Sequence, residues 1–381
     1  MAGPTATELR LGMIGCGQIS NRFFNWAEQL PDVRFVATCA AHESSARAKA
    51  EERGCERWYT DFRDLLANPD IDAVVITTPH QMHAPMAAEA VRAGKHVLVE
   101  KPMTTRWRHA LDLAAAVKES RVTLMALPFV HYPILNETLK YLREEYIGKI
   151  TSVEADFNLS GPPRTNWYYS KEAEGGAMLD TMPYALARVA ALMGPAKNVT
   201  ALIGQLLPLR LTGDGGRVKS EVDDDATIIL QYATGQQAVV RSSWAQSYMR
   251  NSTVVHGRHG DVFMGWWPSV RGYAGSYPLV VKSDLKPVPN AQMIDFLGLP
   301  NCYAPEVPGI GVEPNMIADF AESIRTGATP KCGIDIGLHI AEQGMMAYES
   351  SRTGRAIDLT TTFDLWWDRE PDIMRLDQGY L

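Results

Sequence analysis

Cysteine is scarce in this chain, five among 381 residues. Cys16, Cys39, Cys55, Cys302 and Cys332 are widely scattered and show neither CxxC nor CxxH spacing. Such a set suits neither a disulfide framework nor a zinc site, so no metal is expected and a reducing cytoplasm is. Cys16 and Cys39 sit in apolar, strand-like surroundings, which points to buried, inert thiols. No apolar run reaches the ~18 residues of a spanning helix. The opening MAGPTATELRLG has no charged stretch leading into an apolar one, and no Met-Gly of a myristoylation signal. Membrane attachment is therefore not expected. A basic excess is also missing: Lys plus Arg is 37 against 44 Asp plus Glu, a formal charge of −7. Without a basic stripe, nucleic acid is not an expected partner. What the chain does have is 46% hydrophobic and 21% charged residues, enough to bury a large core. At roughly 100–200 residues per domain its length predicts two or three domains.

The first 128 residues alternate between two periodicities. Apolar runs at Leu9–Ile14, Val33–Cys39, Asp72–Thr77, His96–Val99 and Val122–Ala126 read as strands. Helical patterns fall between them at Ile19–Leu30, Ser44–Arg53, Asp61–Ala67, Pro85–Ala93 and Arg106–Glu119. Alternating strand and helix imply right-handed βαβ units and a parallel sheet, and uniformly apolar strands imply helices on both faces. The style then changes. A helix over Ile134–Glu145 and a strand over Thr151–Asn158 precede an irregular stretch at 160–175 and a helix over Ala177–Met193. Strands follow at 197–204, 225–232, 236–245, 252–257 and 260–264, separated by turn pairs as in an antiparallel sheet. Residues 265–312, rich in Gly, Pro and aromatics, resist assignment, and two helices near 315–326 and 335–351 close the chain. The expected fold is α/β: a Rossmann dinucleotide-binding domain over 1–128, then an α+β domain over 129–381 with an open, mainly antiparallel sheet for substrate binding and oligomerisation.

Three segments carry chemistry. Gly15-Cys16-Gly17-Gln18-Ile19-Ser20 follows the first strand and opens a helix. Gly15 permits the tight turn, Gly17 lets a pyrophosphate approach the backbone, and the small Ser20 allows close helix–strand packing, with Gln18 and Ile19 beside the phosphates. At the end of the second strand, Cys39-Ala40-Ala41-His42 offers no acid for a ribose diol. Ala41 and His42, with Ser44 or Arg47 beyond, favour NADP(H), with NAD(H) the alternative; Arg47 also reads as an exposed helix face. Glu100-Lys101-Pro102 directly follows a buried strand, on the edge where such sheets bind ligands; pairing of Lys101 with an acid is the structural alternative. Thr78-Pro79-His80-Gln81-Met82-His83 fills the loop after the preceding strand, where two His without a third ligand do not make a metal site. Thr78, Pro79 and His83 then form a wall against the nicotinamide, or His83 caps the next helix.

Together these segments resemble the glucose-fructose oxidoreductase / inositol dehydrogenase / MocA family, whose members share G-x-G-x-x-(G/A), a T-P-x-x-x-H loop and E-K-P in a two-domain layout. The resemblance implies NAD(P)-dependent hydride transfer to or from a sugar, polyol or related carbonyl, with Glu100 and Lys101 at the cofactor. The family's second signature, G-G-x-x-x-D-x-G-x-H, stands here as Gly175-Gly176-Ala177-Met178-Leu179-Asp180-Thr181-Met182-Pro183-Tyr184. Asp180 is kept, while Met182 replaces Gly and Tyr184 replaces His. A similar Tyr is found in the glucose-fructose oxidoreductase and dihydrodiol dehydrogenase branches, so the departure speaks against inositol dehydrogenase rather than against activity.

The chemistry is consistent. The spacing puts Asp180 and Tyr184 on one helix face. A Tyr hydroxyl, protonated up to about pH 10, can donate to a developing alkoxide, and a neighbouring ammonium such as Lys101 eases its ionisation. The catalytic residues are then Tyr184 as proton donor and acceptor, Lys101 orienting the substrate oxygen, and Asp180 positioning Lys101 or a substrate hydroxyl. Core packing is the other reading of Tyr184. Arg188 either binds an anionic substrate or makes a salt bridge. Arg164, Trp167 and Tyr168 are candidates for the sugar's hydroxyls and apolar face, or for packing between domains or subunits. Trp244, Trp266 and Trp267 suit packing or oligomer contacts. Expected partners are a carbohydrate or polyol and further copies of the chain, as a homodimer or homotetramer through the open sheet. Two other functions remain: a redox-assisted glycosidase of the same fold, and a non-catalytic cofactor sensor.

Overall fold

In a computed structural model, residues 8–126, 133–162, 166–211, 215–247, 249–265, 279–307 and 314–365 are described. The chain divides into two compact units, one comprising Met1–Pro128 with Asn315–Ala341 and the other Phe129–Pro314 with Glu342–Leu381.

The first unit is a six-stranded parallel sheet. Its strands are β1 (Leu9–Ile14), β2 (Val33–Cys39), β3 (Arg57–Tyr59), β4 (Ala73–Ile76), β5 (His96–Val99) and β6 (Leu124–Ala126), in the order β3-β2-β1-β4-β5-β6. Helices α1 (Ser20–Ala27), α2 (Glu43–Arg53), α3 (Phe62–Ala67), α4 (His83–Arg92) and α5 (Trp107–Lys118) connect them. Strand order reverses between β1 and β4, which is where open α/β sheets bind ligands. All four residues of β4 are buried, as a strand covered on both faces requires. One side packs Leu65, Val74, Val97 and Leu113, and the other packs Leu11, Phe23, Val75 and Leu98. The second of these cores also takes in Met316, Ile317 and Phe320 from the helix Met316–Thr326. Asn315 caps that helix by accepting the Ala318 N–H at 3.0 Å and donates to Trp26 O at 2.7 Å. A helix expected in the second domain thus belongs to the first core. β3, three largely exposed residues on the sheet edge, carries too little apolar pattern to read from sequence.

The second unit contains α6 (Pro133–Arg143), β7 (Ile150–Asn158), α7 (Ala177–Asp180) and α8 (Met182–Met193). Then come β8 (Asn198–Gly204), β9 (Leu209–Leu211), β10 (Arg217–Lys219), β11 (Asp225–Gln231), β12 (Gln237–Ser243), β13 (Arg250–Gly257), β14 (Gly260–Gly265), β15 (Leu279–Ser283), β16 (Ala291–Phe296), β17 (Leu299–Pro305) and β18 (Ile357–Asp358). β9 and β10 form a hairpin, and the others make a ten-stranded sheet in the order β16-β17-β15-β14-β13-β7-β12-β11-β8-β18. Every neighbouring pair is antiparallel except β7 with β12. Alternate residues such as Val199, Ala201, Ile228, Leu230 and Val240 are buried, and α8 packs against β7 and β12. β15, β16 and β17 lie within the stretch that resists assignment, where β16 and β17 lack a clean two-residue alternation. The expected single helix over 177–193 is two pieces broken at Thr181. Pro183 cannot donate a backbone hydrogen bond, so it fits the first turn of a new helix and not the middle of an old one. Among the described residues no helix is long and apolar enough to cross a membrane.

Candidate active site

In the first unit, the turn after β1 is built by close backbone approach. Gly15 has φ +102°, and a Cβ there would lie 2.7 Å from the Thr77 carbonyl carbon. Thr77 Oγ1 donates to Gly15 O at 2.7 Å, and Gly15 N–H donates to Cys39 O at 2.9 Å. The ends of β1, β2 and β4 are thereby tied together, and only glycine fits between them. A Cβ on Gly17, by contrast, would meet nothing within 4 Å. That open side leaves the backbone approachable by a bulky ligand and fits a dinucleotide pyrophosphate. Ser20 is buried and its hydroxyl donates to Gly17 O at 2.6 Å, fixing the loop to the first turn of α1. Gln18 and Ile19 are exposed beside it.

At the end of β2, Ala41 and His42 are exposed, and His42 precedes α2 without capping it by its side chain. The first carboxylate after the strand is Glu43, already inside α2. Burial pushes the Cys16 thiol up to about 11 and the Cys39 thiol up to about 12, which favours the protonated form of both near neutrality; Cys39 is buried as expected, whereas Cys16 is partly exposed.

The loops after β4 and β5 are braced by His83 and Glu100. His83 is buried, with Nε2 2.7 Å from Thr78 O and Nδ1 2.8 Å from Pro102 O. Burial holds its pKa below the ordinary value against the pull of the two carbonyls, and the Lys101 charge adds to the depression. Both ring nitrogens face main-chain carbonyls, one on each loop, and the neutral ring donates to one of them, so it sits between the loops instead of capping α4 or offering a nitrogen to a ligand. Glu100 is likewise buried and accepts the Lys101 N–H at 2.7 Å. Pro79 is exposed, and Thr78 and Lys101 are partly exposed on these braced loops.

In the second unit, Gly175 and Gly176 are demanded by contact. A Cβ on Gly175 would fall 2.0 Å from Tyr168 O, and one on Gly176 2.7 Å from Asp223 Oδ1. Asp180, buried, ends α7; Tyr184, partly buried in the first turn of α8, stacks on Phe157 of β7 with centroids 4.9 Å apart. Arg188 is buried and donates to Asn251 Oδ1 and, at 2.8 Å, to Asp156 O. The amide and the main-chain oxygen hold the guanidinium in place, and its charge also acts on the Asp156 carboxyl. Trp167 and Tyr168 stack on each other with centroids 3.8 Å apart, while Arg164 lies outside the described residues. Trp244 is fully buried, which excludes an oligomer contact for it; Trp266 and Trp267 lie outside the described residues. Among the described residues no cluster of three or more His, Cys, Asp or Glu is arranged for a metal. Sequence reasoning gave no role to Asp223, Thr181, Ser242 and Tyr348, which hold α7 and α8 in place; Thr181 is an unspecified position of the second signature, and the other three lie outside it.

Residues 9–127 match the model of an oxidoreductase family with an NAD-binding Rossmann fold, and residues 136–263 match the GFO/IDH/MocA C-terminal domain. The chain belongs to the Gfo/Idh/MocA oxidoreductase family. Levoglucosan dehydrogenase of Pseudarthrobacter phenanthrenivorans is 26% identical over 289 residues, 68% of this chain and 74% of the relative. Trans-1,2-dihydrobenzene-1,2-diol dehydrogenase of Sus scrofa is 26% identical over 344 residues, 83% and 96% of the two chains. In structure, levoglucosan dehydrogenase in complex with NADH and L-sorbose aligns with a TM-score of 0.78 at 22% identity, covering 93% of this chain and 99% of that one. This family member is thus an enzyme of the dehydrogenase and reductase type, with an NAD-binding first unit.

Proposed function

We propose that this family member is a dehydrogenase or reductase of sugars, keto-sugars or polyols, with NADP(H) bound at least as well as NAD(H). The observation that carries the reading is the helix break that places buried Asp180 and Phe157-stacked Tyr184 on either side of Thr181, in a chain whose other unit holds the dinucleotide turn. Relatives named levoglucosan dehydrogenase and D-xylose dehydrogenase support a carbohydrate substrate. The lean toward NADP(H) rests on the absence of a carboxylate from Cys39-Ala40-Ala41-His42. Contacts to the cofactor come from Gly15, Gly17, Gln18 and Ile19 at the phosphates, from Ala41 and His42 at the ribose, and from Thr78, Pro79 and Lys101 at the nicotinamide end, with His83 and Glu100 bracing those loops.

The nicotinamide, when bound, supplies or accepts the hydride. The Tyr184 hydroxyl gives its proton to the substrate oxygen in reduction and takes it back in oxidation. The Lys101 ammonium orients and polarises that oxygen, and Asp180 orients Lys101 or a substrate hydroxyl. Arg164, Trp167 and Tyr168 serve the sugar's hydroxyls and apolar face. Fluorescence titration is expected to give NADP(H) a dissociation constant no weaker than that of NAD(H); a strong NAD(H) preference removes that part of the reading. Tyr184→Phe keeps the stacking on Phe157 and loses only the hydroxyl. Turnover in a screen of sugars should fall by about 10²–10⁴, with little change in melting temperature. Wild-type turnover by this variant would rule Tyr184 out as the acid.

A further inference from the structure

The break between α7 and α8 is held by a run of side-chain hydrogen bonds. Thr181 is buried between Asp180 and Met182. Its Oγ1 lies 3.1 Å from Ala177 O and 2.6 Å from Ser242 Oγ on β12, and accepts the Trp244 Nε1–H at 3.1 Å. Ser242 Oγ lies 3.2 Å from Phe157 O, the residue whose ring supports Tyr184. Each hydroxyl has one proton: Thr181 accepts from Trp244 and gives its own proton to Ala177 O or to Ser242 Oγ, while Ser242 gives its own to Thr181 or to a main-chain carbonyl, Phe157 O or Ala177 O. The Trp244 indole also meets Tyr168 and Tyr169 edge-on, with centroids 6.3 and 5.7 Å away. The far end of α7 is held separately. Met178 N–H donates to Asp223 Oδ2 at 2.8 Å, and the Tyr348 hydroxyl donates to Asp223 Oδ1 at 2.7 Å.

In an unbroken helix the pitch alone would set the relation of residues 180 and 184. Here it is set by Thr181, with φ −105° and ψ −30°, after which Tyr184 N–H turns back to Thr181 O at 3.3 Å. We infer that Thr181 is a positioning residue: its hydroxyl, joined to Ser242 and Trp244, fixes the break and so fixes Asp180 relative to Tyr184. The inference rests on the proposed roles of those two residues. Removing the hydroxyl takes the acceptor from the buried Trp244 N–H and the link to Ser242, which keeps only main-chain carbonyls, so the break is no longer tied to β12 by side chains and can shift.

Thr181→Val is close to isosteric and lacks only the hydroxyl, Thr181→Ser retains it, and Ser242→Ala cuts the run of hydrogen bonds one link further on. For Thr181→Val the expected result is a kcat about ten- to hundredfold lower, a displaced pH profile for sugar oxidation and an unchanged cofactor dissociation constant. Thr181→Ser should recover most of the rate and the wild-type profile, and Ser242→Ala should show the Val pattern in weaker form. A folded Thr181→Val with wild-type kcat and pH profile overturns the inference, as does a loss that Thr181→Ser fails to restore. If Thr181→Val does not fold, Ser242→Ala decides by the same criteria. Tyr184→Phe, measured alongside, separates the two levels. Wild-type turnover there defeats the reading of the site, whereas a crippled Tyr184→Phe beside a normal Thr181→Val defeats only the positioning role.

Discussion

Lys101 owes its placement to its neighbours. Its N–H is held by the Glu100 carboxylate, and the carbonyl of the following residue, Pro102 O, lies 2.8 Å from the His83 ring. The backbone is thus held on both sides of the residue. If Lys101 polarises the reacting oxygen as proposed, replacing it with Ala removes that charge while the contacts of the backbone on either side stay in place. Losing one such group typically costs about 10²–10³ in kcat, and that loss is expected for Lys101→Ala in steady-state assays, with cofactor affinity close to wild type in a fluorescence titration. Near-normal turnover would mean that the Lys serves only the loop.

At the scale of elements, two small pieces of the second unit are held by buried carboxylates. Asp224 accepts the N–H groups of Leu206 and Leu207 at 2.6 and 2.8 Å and pairs with Arg210 of β9 at 2.7 Å, with both ionic groups buried. Arg210 also donates to Trp244 O at 2.6 Å. Asp224→Ala would strand a buried guanidinium, which costs about 3–5 kcal/mol when a partner is removed. Chemical denaturation should read a destabilisation of that size; one of about 0–1 kcal/mol, the value of an exposed pair, would show that the hairpin swings out to solvent. Glu342, on the helix Ile334–Thr353, accepts the N–H and hydroxyl of both Thr360 and Thr361. Burial alone would raise its pKa, but these four bonds together outweigh it and hold the carboxyl below the ordinary value. A depressed folded-state value gives stability that is complete above the unfolded value of about 4.3 and is lost as pH falls through the folded one. Melting temperature should therefore decline below about pH 4.3, and Glu342→Gln should be less stable at neutral pH with a shallower acid limb. An unchanged acid limb in that variant would assign the decline to other groups.

For the whole molecule, the sheet of the second unit poses the main question. One face is buried under α8, while the other exposes Leu202 (77%), Ile229 (42%) and Val239 (41%) on three adjacent strands. Ile229 and Val239 are direct cross-strand neighbours, and Leu202 sits beside Thr227 on the same face. Apolar groups grouped in this way favour association through that face. Sedimentation is expected to show a homodimer or homotetramer, and Val239→Glu with Leu202→Glu should shift it toward monomer. A wild-type protein that sediments as a monomer would remove this expectation.

Local information was enough for most of the parallel sheet of the first unit, β3 excepted. Short apolar strands, the glycines of the first turn and the regular alternation with helices are each encoded within a few residues, and the parallel sheet follows from their order. The same holds for the residues marked by motif: Gly15, Gly17, Lys101, Asp180 and Tyr184 can be read because each sits at a fixed distance from its neighbours. Other features depend on partners far away in the chain. Helix Met316–Thr326 joins the first core because Asn315 and Phe320 find α1 some 290 residues earlier, and no local pattern encodes that choice. Strands β15–β17 are defined by their pairing, since their own residues barely alternate. His83 looks like a ligand-facing loop residue until burial and two main-chain carbonyls make it a brace. The break at Thr181 is foreshadowed by Pro183, but its angle depends on Ser242 and Trp244, about 60 residues on. Sequence by itself determined the order of the strands and helices of the parallel sheet and marked the candidates for the chemistry, because apolar periodicity and motif spacing are local properties. Only the tertiary structure decided how they are held, because burial and hydrogen-bond partnership are properties of the packed chain.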